Sequence, residues 1–239
     1  MNKEEFISEV EKLGIKLSEE QLNQFQIYCD FLLEKNKVVN LTAIKDEESV
    51  YLKHFYDCIT IFKTKVIKTS SKVLDIGSGA GFPGIVMKII EPSINLTVLD
   101  SSMKRINFIA ELTNKLNIKR IDFVDKRSED YFPLVHDKFD IVTARAVANL
   151  NTISELAIPF VKLNGYFLAM KGKYKKELEE AKEAISILGG KIEEIIEFKL
   201  PKEASNRAIL KIKKIAKTPS NYPRRYDKII KYPLKKKIK

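Results

Sequence analysis

The chain has 239 residues, 44% of them hydrophobic, enough to bury a core without disulfide or metal staples. Cys29 and Cys58 lack C-x-x-C partners and read as buried small hydrophobes, His54 and His136 have no zinc spacing, and no apolar run approaches bilayer length. Net charge is +11, but twelve of the 43 Lys/Arg and one of the 32 Asp/Glu lie from Lys211 onward, so the body is neutral and the basic excess belongs to the tail, which points to a polyanionic partner.

The amino terminus, Met1–Glu5, is acidic and lacks an apolar signal core, so a cytoplasmic location is expected. Residues 3–16 carry Phe6, Ile7, Val10, Leu13 and Ile15 at mostly helical spacing. Ser18 with Gln21 three positions on predicts a reciprocal cap for a helix with a wide apolar arc through Leu33. Asn36–Ile44 breaks the period, and Asp46 with Ser49 opens another helix through Cys58. The first 65 residues thus read as a helical cap without strands. His54 and Asp57 share a helix face, as a solvated capping pair or as groups facing a cofactor cleft.

Val73, Leu74 and Ile76 predict a buried strand, followed by Gly77, Gly79 and Gly81 in a turn and a helix opened by Pro83 that ends before Pro92. Glycines allow close backbone approach to a ligand, and a helix start offers free N–H groups. The spacing is G-x-G-x-G, not the G-x-G-x-x-G that grips a pyrophosphate. Asp75 at the strand end would repel a phosphate but suits an ammonium, which fits the methionyl end of S-adenosylmethionine. Phe82 either covers that cofactor or staples the core.

Strand and helix patterns then alternate. Asn95–Asp100 is a strand, Ser101-Ser102 caps a helix through Leu116, and Ile121–Val124 is a third strand before Asp125–Asp130. Phe139–Ala144 is a fourth, followed by Arg145 and a helix to Pro159; Gly165–Met170 is a fifth, ending at Lys171-Gly172. A charged helix from Tyr174 to Leu188 precedes two strands, Lys191–Leu200 and Arg207–Lys214. This order predicts a mostly parallel sheet with helices on both faces, closed by an antiparallel hairpin. Ligands bind such sheets at the carboxyl ends of the strands, so Asp75, Asp100, Ser128, Glu129 and Arg145 should converge. Asp100 can accept ribose hydroxyls or cap the next helix. Ser128 and Glu129 stand where an adenine edge would lie, or form a solvated loop. Arg145, at the end of the fourth strand, is either a surface cation or a site residue beside where the methyl group would be presented. In the tail, Thr218–Lys239, three prolines argue against a regular element through most of it, and three tyrosines interleave with cations either as in single-stranded nucleic-acid binders or as a disordered basic tail that only aids solubility.

Asn40-Leu41-Thr42, the His54 helix, Asp75-Ile76-Gly77-Ser78-Gly79-Ala80-Gly81-Phe82-Pro83-Gly84, Leu99-Asp100-Ser101, Arg145-Ala146, Lys171-Gly172 and Tyr222-Pro223-Arg224-Arg225 occur in one order across the chain. Together they resemble the bacterial small-subunit ribosomal RNA guanine-N7 methyltransferases, the glucose-inhibited division protein B family. The resemblance implies an α/β, class I S-adenosylmethionine-dependent methyltransferase: a Rossmann-like, seven-stranded, mostly parallel sheet (66–215) behind a helical cap (1–65), with a basic tail (216–239). It implies transfer of a methyl group to N7 of a guanine in 16S ribosomal RNA, by a monomer acting on that RNA or on the small subunit. By the same resemblance Gly77, Phe82, Ser128, Glu129 and Arg145, with Asp75, Gly79, Gly81 and Asp100, hold the cofactor, and Asn40, His54, Lys171, Arg224 and Arg225 meet the substrate. Ser128 replaces a more usual alanine and Val147 a more usual phenylalanine. No general base is expected, because guanine N7 carries a free lone pair. A methyltransferase of another RNA, a protein or a small molecule, and a non-catalytic RNA-binding module, are the competing readings.

Overall fold

The computed structural model describes residues 1–135 and 137–234; His136 and the terminal Lys235–Lys239 run lie outside the described residues. Five strands, β1 (Lys72–Ile76), β2 (Asn95–Leu99), β3 (Ile121–Val124), β4 (Phe139–Arg145) and β5 (Val161–Lys171), run parallel, and β6 (Gly190–Lys199) and β7 (Asn206–Lys214) form the antiparallel closing hairpin. The order β3-β2-β1-β4-β5-β7-β6 reverses direction between β1 and β4, which opens a crevice at their carboxyl ends.

Side chains along the strands alternate between two cores, as the pleat requires. Val73, Val98, Ile141, Leu168 and Ile209 face one core, shared with α1 (Lys3–Glu11), α2 (Glu19–Val39), α3 (Glu47–Val50) and α4 (Asp57–Ile59). The helices α5 (Gly84–Ile90) and α6 (Met103–Lys115) complete that layer. Leu74, Ile76, Val142, Phe167 and Leu210 face the other core, built with α7 (Ser128–Val135), α8 (Leu150–Ala157), α9 (Lys175–Ile187) and α10 (Tyr226–Lys231). The amino-terminal helices are therefore continuous with the sheet's own core. Tyr28 anchors them, its hydroxyl donating to Ala80 O at 2.5 Å.

The Ser18–Gln21 capping box forms as expected, and Asp46 caps through the Ser49 N–H. Three local expectations change. The first helix stops at Glu11, and α2 runs through the expected break to Val39, where Asn40 ends it in the left-handed conformation. Ser102 makes no side-chain cap; the Asp100 carboxylate takes the Ser102 N–H instead, a stronger acceptor than a hydroxyl. The tail, expected to lack a regular element through most of its length, holds one short helix, α10, between two of its prolines. Tyr51–Tyr56 adopts π-helical hydrogen bonding, an irregularity that often marks functional sites.

Candidate functional site

Gly77, Gly79 and Gly81 all take positive φ, at 67°, 59° and 96°. The chain reverses tightly enough that its N–H groups find partners within the fold. Gly77 and Ser78 donate to Leu99 O, Gly79 to Asp100 Oδ2, and Gly81 and Phe82 to Ser78 O. The expected free N–H groups at the helix start are also engaged, because Gly84 donates to Asp75 Oδ2 at 3.0 Å. With these donors satisfied, few N–H groups of the turn remain to cradle a phosphate. Asp75 is fully buried, and its Oδ1 has no hydrogen-bond partner. Burial pushes its carboxyl up to about 7, against the stabilising Gly84 N–H. An orphaned buried carboxylate oxygen beside such a turn matches an ammonium donor and mismatches an anion.

Beside the turn lies a cleft of about 340 Å3, lined by Gly77, Asp100, Ser128, Glu129, Val147 and Tyr226 among others. The capping reading of Asp100 holds, and its carboxylate also lines the cleft. Its Oδ1 caps Ser102 and its Oδ2 takes the Gly79 N–H, each at 2.9 Å, and carboxylate oxygens retain further lone pairs toward the cleft. Ser128 is buried and its hydroxyl donates to Leu156 O at 2.7 Å, which commits that hydroxyl to the fold. Val147 leans on the turn, so a Cβ at Gly77 would sit 2.7 Å from Val147 Cγ2.

Phe82 does not cover this cleft. Its ring stacks on Tyr28 at 5.3 Å and on His54 at 4.4 Å, so both faces are taken, and the core-staple reading holds. Arg145 ends β4 as expected, but its guanidinium turns toward the helical layer. It donates to Lys53 O at 2.5 Å and Cys58 Sγ at 3.2 Å, and pairs with Asp57 at 3.3 Å. Both guanidinium NH2 groups approach His54 Nδ1 at 3.3 Å. Arginine cannot accept, so Nδ1 is the acceptor and Nε2 carries the proton, directed at Thr42 Oγ1 2.8 Å away. Burial and the Arg145 charge hold His54 down to about 3. Asp57, held between Arg145 and Arg207, has its carboxyl raised by burial despite both cations. Asp57, Arg145, Lys171 and Arg207 line a second cleft of about 450 Å3 that meets the first at Ala146. Arg145 therefore stands on the far side of that junction from the Asp100 cleft; Asp57 is buried and lines the second cleft rather than the Asp100 cleft, and His54 is among the lining residues of neither.

A family model described as rRNA small subunit methyltransferase G matches residues 21–217. The chain belongs to that family. The ribosomal RNA small subunit methyltransferase G of Oceanobacillus iheyensis is 47% identical over 228 residues, spanning 94% of this chain and 96% of its own. That of Lachnoclostridium phytofermentans is 46% identical over 235 residues, 97% of each chain. Among solved structures, a SAM-dependent methyltransferase from Aquifex aeolicus superposes with a TM-score of 0.53 at 19% identity, covering 72% of this chain and 96% of its own. M. jannaschii TYW2 in complex with AdoMet gives 0.52 at 14%, over 65% and 74%. These likenesses place the fold among the class I methyltransferases.

In this family member the expected substrate residues do not form one group. Lys171 Nζ is held between Ala148 O at 2.5 Å and Glu177 at 2.8 Å, bracing the loop after β4. Arg224 is committed to Glu155, through its N–H at 2.9 Å, Nε at 2.8 Å and an NH2 at 2.7 Å. Arg225 stays exposed and pairs with Asp227 at 3.2 Å. Asn40 is exposed at the end of α2 and is joined to the site only through its neighbour Thr42, which meets His54. Sequence reasoning gives Arg207 no site role and counts Tyr226 among the tail tyrosines for RNA, whereas it lines the Asp100 cleft. Glu155 does carry a sequence signal: one acid among Ile153, Leu156 and Ile158 in a buried helix demands a cation.

Proposed function

We propose that this chain transfers a methyl group from S-adenosylmethionine to N7 of a guanine in small-subunit ribosomal RNA. The observation that carries this reading is the buried Asp75 carboxylate, one oxygen of which has no hydrogen-bond partner among the described residues, beside a glycine turn most of whose N–H groups are engaged and next to the Asp100 cleft. Those residues fit a ligand with an ammonium at one end and a ribose at the other. Asp75 and the turn would hold the amino-acid end, Asp100 the ribose, and the Ser128–Glu129 loop the base. The bound cofactor supplies an electrophilic methyl group. What the chain adds is alignment and exclusion of water. His54 suits that role, being neutral with its Nδ1 facing Arg145, and it serves as a positioner of Arg145 rather than a base.

The guanine's place on this reading is the Arg145 cleft. It runs on through Gly172, Lys173, Phe198 and Arg207 into a larger groove of about 830 Å3, whose rim adds Lys175, Lys176 and Lys199. A row of cations leading to a cleft is what an RNA backbone requires. Among the described residues no helix is long and apolar enough to cross a membrane, in keeping with a cytoplasmic enzyme of ribosomal RNA. We assign residues 1–65 as cap, 66–215 as catalytic domain and 216–239 as tail, and the working unit as a monomer.

The test is incubation of the purified protein with labelled cofactor and small-subunit RNA from a strain lacking this methylation. The expected product is 7-methylguanosine. Label at guanine N1 or N2, or on a cytosine C5, overturns the chemistry.

A further inference from the structure

A basic arm for RNA would leave its cations free. The described part of this tail instead commits Arg224 to α8 and folds beside the Asp100 cleft, while Lys217, Arg225, Lys228 and Lys231 stay exposed. The Glu155 carboxylate, 1% exposed, is satisfied by Arg224, so a charge buried in the helical layer is tolerable only with the tail in place. Ile229 of α10 is buried among the residues of the second core, and Tyr222 and Leu234 pack against the same core. Between these anchors Tyr226 opens into the cleft. It lines that cleft together with Ser128, Glu129 and Leu156, and the Arg127 guanidinium lies 5.1 Å from its ring centroid.

We propose that this carboxyl-terminal segment is a wall of the cofactor cleft, with Tyr226 lining the nucleoside end and the Arg224–Glu155 pair fixing it there. The inference rests on the cofactor reading above. On that reading Gly77 marks the amino-acid end of the cleft, with Asp75 buried just before it, and Asp100 follows at the ribose position. Tyr226 is on the base side, among Leu156 and the loop after β3. A flat ring beside an apolar side chain, polarised by a neighbouring guanidinium, suits a purine face. Arg224 is a positioning residue for this wall rather than a substrate contact. The parallel sheet supplies the rest of the cleft from its strand-end loops; the tail, outside the sheet, adds the surface they leave open.

Calorimetric titration of the full chain with S-adenosylmethionine and with 5′-methylthioadenosine, which lacks the amino-acid end, tests this. Tyr226→Ala should weaken both ligands about tenfold, a typical loss for one aromatic contact to a base. The loss should appear in KM for the cofactor rather than in kcat. Tyr226→Phe should restore binding, and Tyr232→Ala, an exposed tail aromatic outside the cleft, should match the parent. The chain contains no tryptophan, so Tyr226→Trp also installs a unique reporter that needs no truncated side chain. Its emission should be quenched by 5′-methylthioadenosine. Parent-like affinity of Tyr226→Ala for both ligands, loss confined to S-adenosylmethionine, or unquenched Trp emission on binding would overturn the proposal. A parent protein that fails to bind S-adenosylmethionine would instead overturn the cofactor reading.

Discussion

Asp75→Asn tests the group on which the cofactor reading rests. Burial raises this carboxyl from 3.8 to about 7. Below pH 3.8 folded and unfolded chains both hold the proton, and Asp75 is neutral to stability. Between 3.8 and 7 the unfolded chain releases it while the folded chain keeps it, so stability falls as pH rises. Above 7 the full penalty applies, about 4 kcal/mol for that rise. Asparagine removes the charge and keeps an acceptor for the Gly84 N–H, but its amide NH2 then lacks a partner, at about 1–2 kcal/mol. The net expectation is a variant about 2 kcal/mol more stable than the parent at pH 8, an advantage that shrinks and then reverses as pH falls below 5. Urea unfolding at both pH values reads this directly. Cofactor binding should move oppositely. An ammonium ligand needs the ionised form, so the parent's affinity should rise about tenfold from pH 6 to pH 8, following the ionised fraction. Asp75→Asn should lose that pH dependence together with at least tenfold in affinity. A variant less stable than the parent at pH 8, or a parent affinity flat across pH 6–8, would show that Asp75 is an ordinary structural acid.

Three further outcomes are expected. With its ring held near 3 rather than 6.5, His54 should stay neutral and Nε2-protonated from pH 8 to pH 5 by nitrogen-15 NMR; the unfolded chain gains that proton below 6.5, so the His54 contribution to stability falls as pH drops from 6.5 toward 3, and an imidazole titrating near 6.5 would contradict the Arg145 contact. Arg224→Ala leaves Glu155 buried and unpaired, so chemical denaturation should report a loss of about 3 kcal/mol, whereas an unchanged midpoint would mean the tail is not docked. Replacing Lys173, Lys175 and Lys176 together by alanine should lower the salt slope of RNA binding by about 2, from about 0.7 per phosphate contact; an unaltered slope would move the RNA off this groove.

What the sequence disclosed and what it hid divide along contact distance. The β1 run, the glycine turn and the Ser18 box declare themselves because cause and effect sit within a few residues. The convergence of Asp75 and Asp100 followed from topology alone, since both end parallel strands next to the reversal. Phe82 could not be resolved that way. Whether its faces were open depended on Tyr28 and His54, 54 and 28 residues earlier, arriving from the helical layer to cover them. Arg145 was placed correctly by its strand, yet the direction of its side chain was decided by Lys53, Asp57 and Cys58. The tail shows the same limit most sharply. Arg224 within a run of cations reads as solvated, and Glu155 within an apolar helix reads as misplaced. Each makes sense only with the other, across 69 residues. A buried lone acid and an unassigned arginine are thus one signal. Where both occur in a chain, a docked segment is a better first expectation than a free basic arm, and here that segment brings Tyr226 to the cofactor cleft.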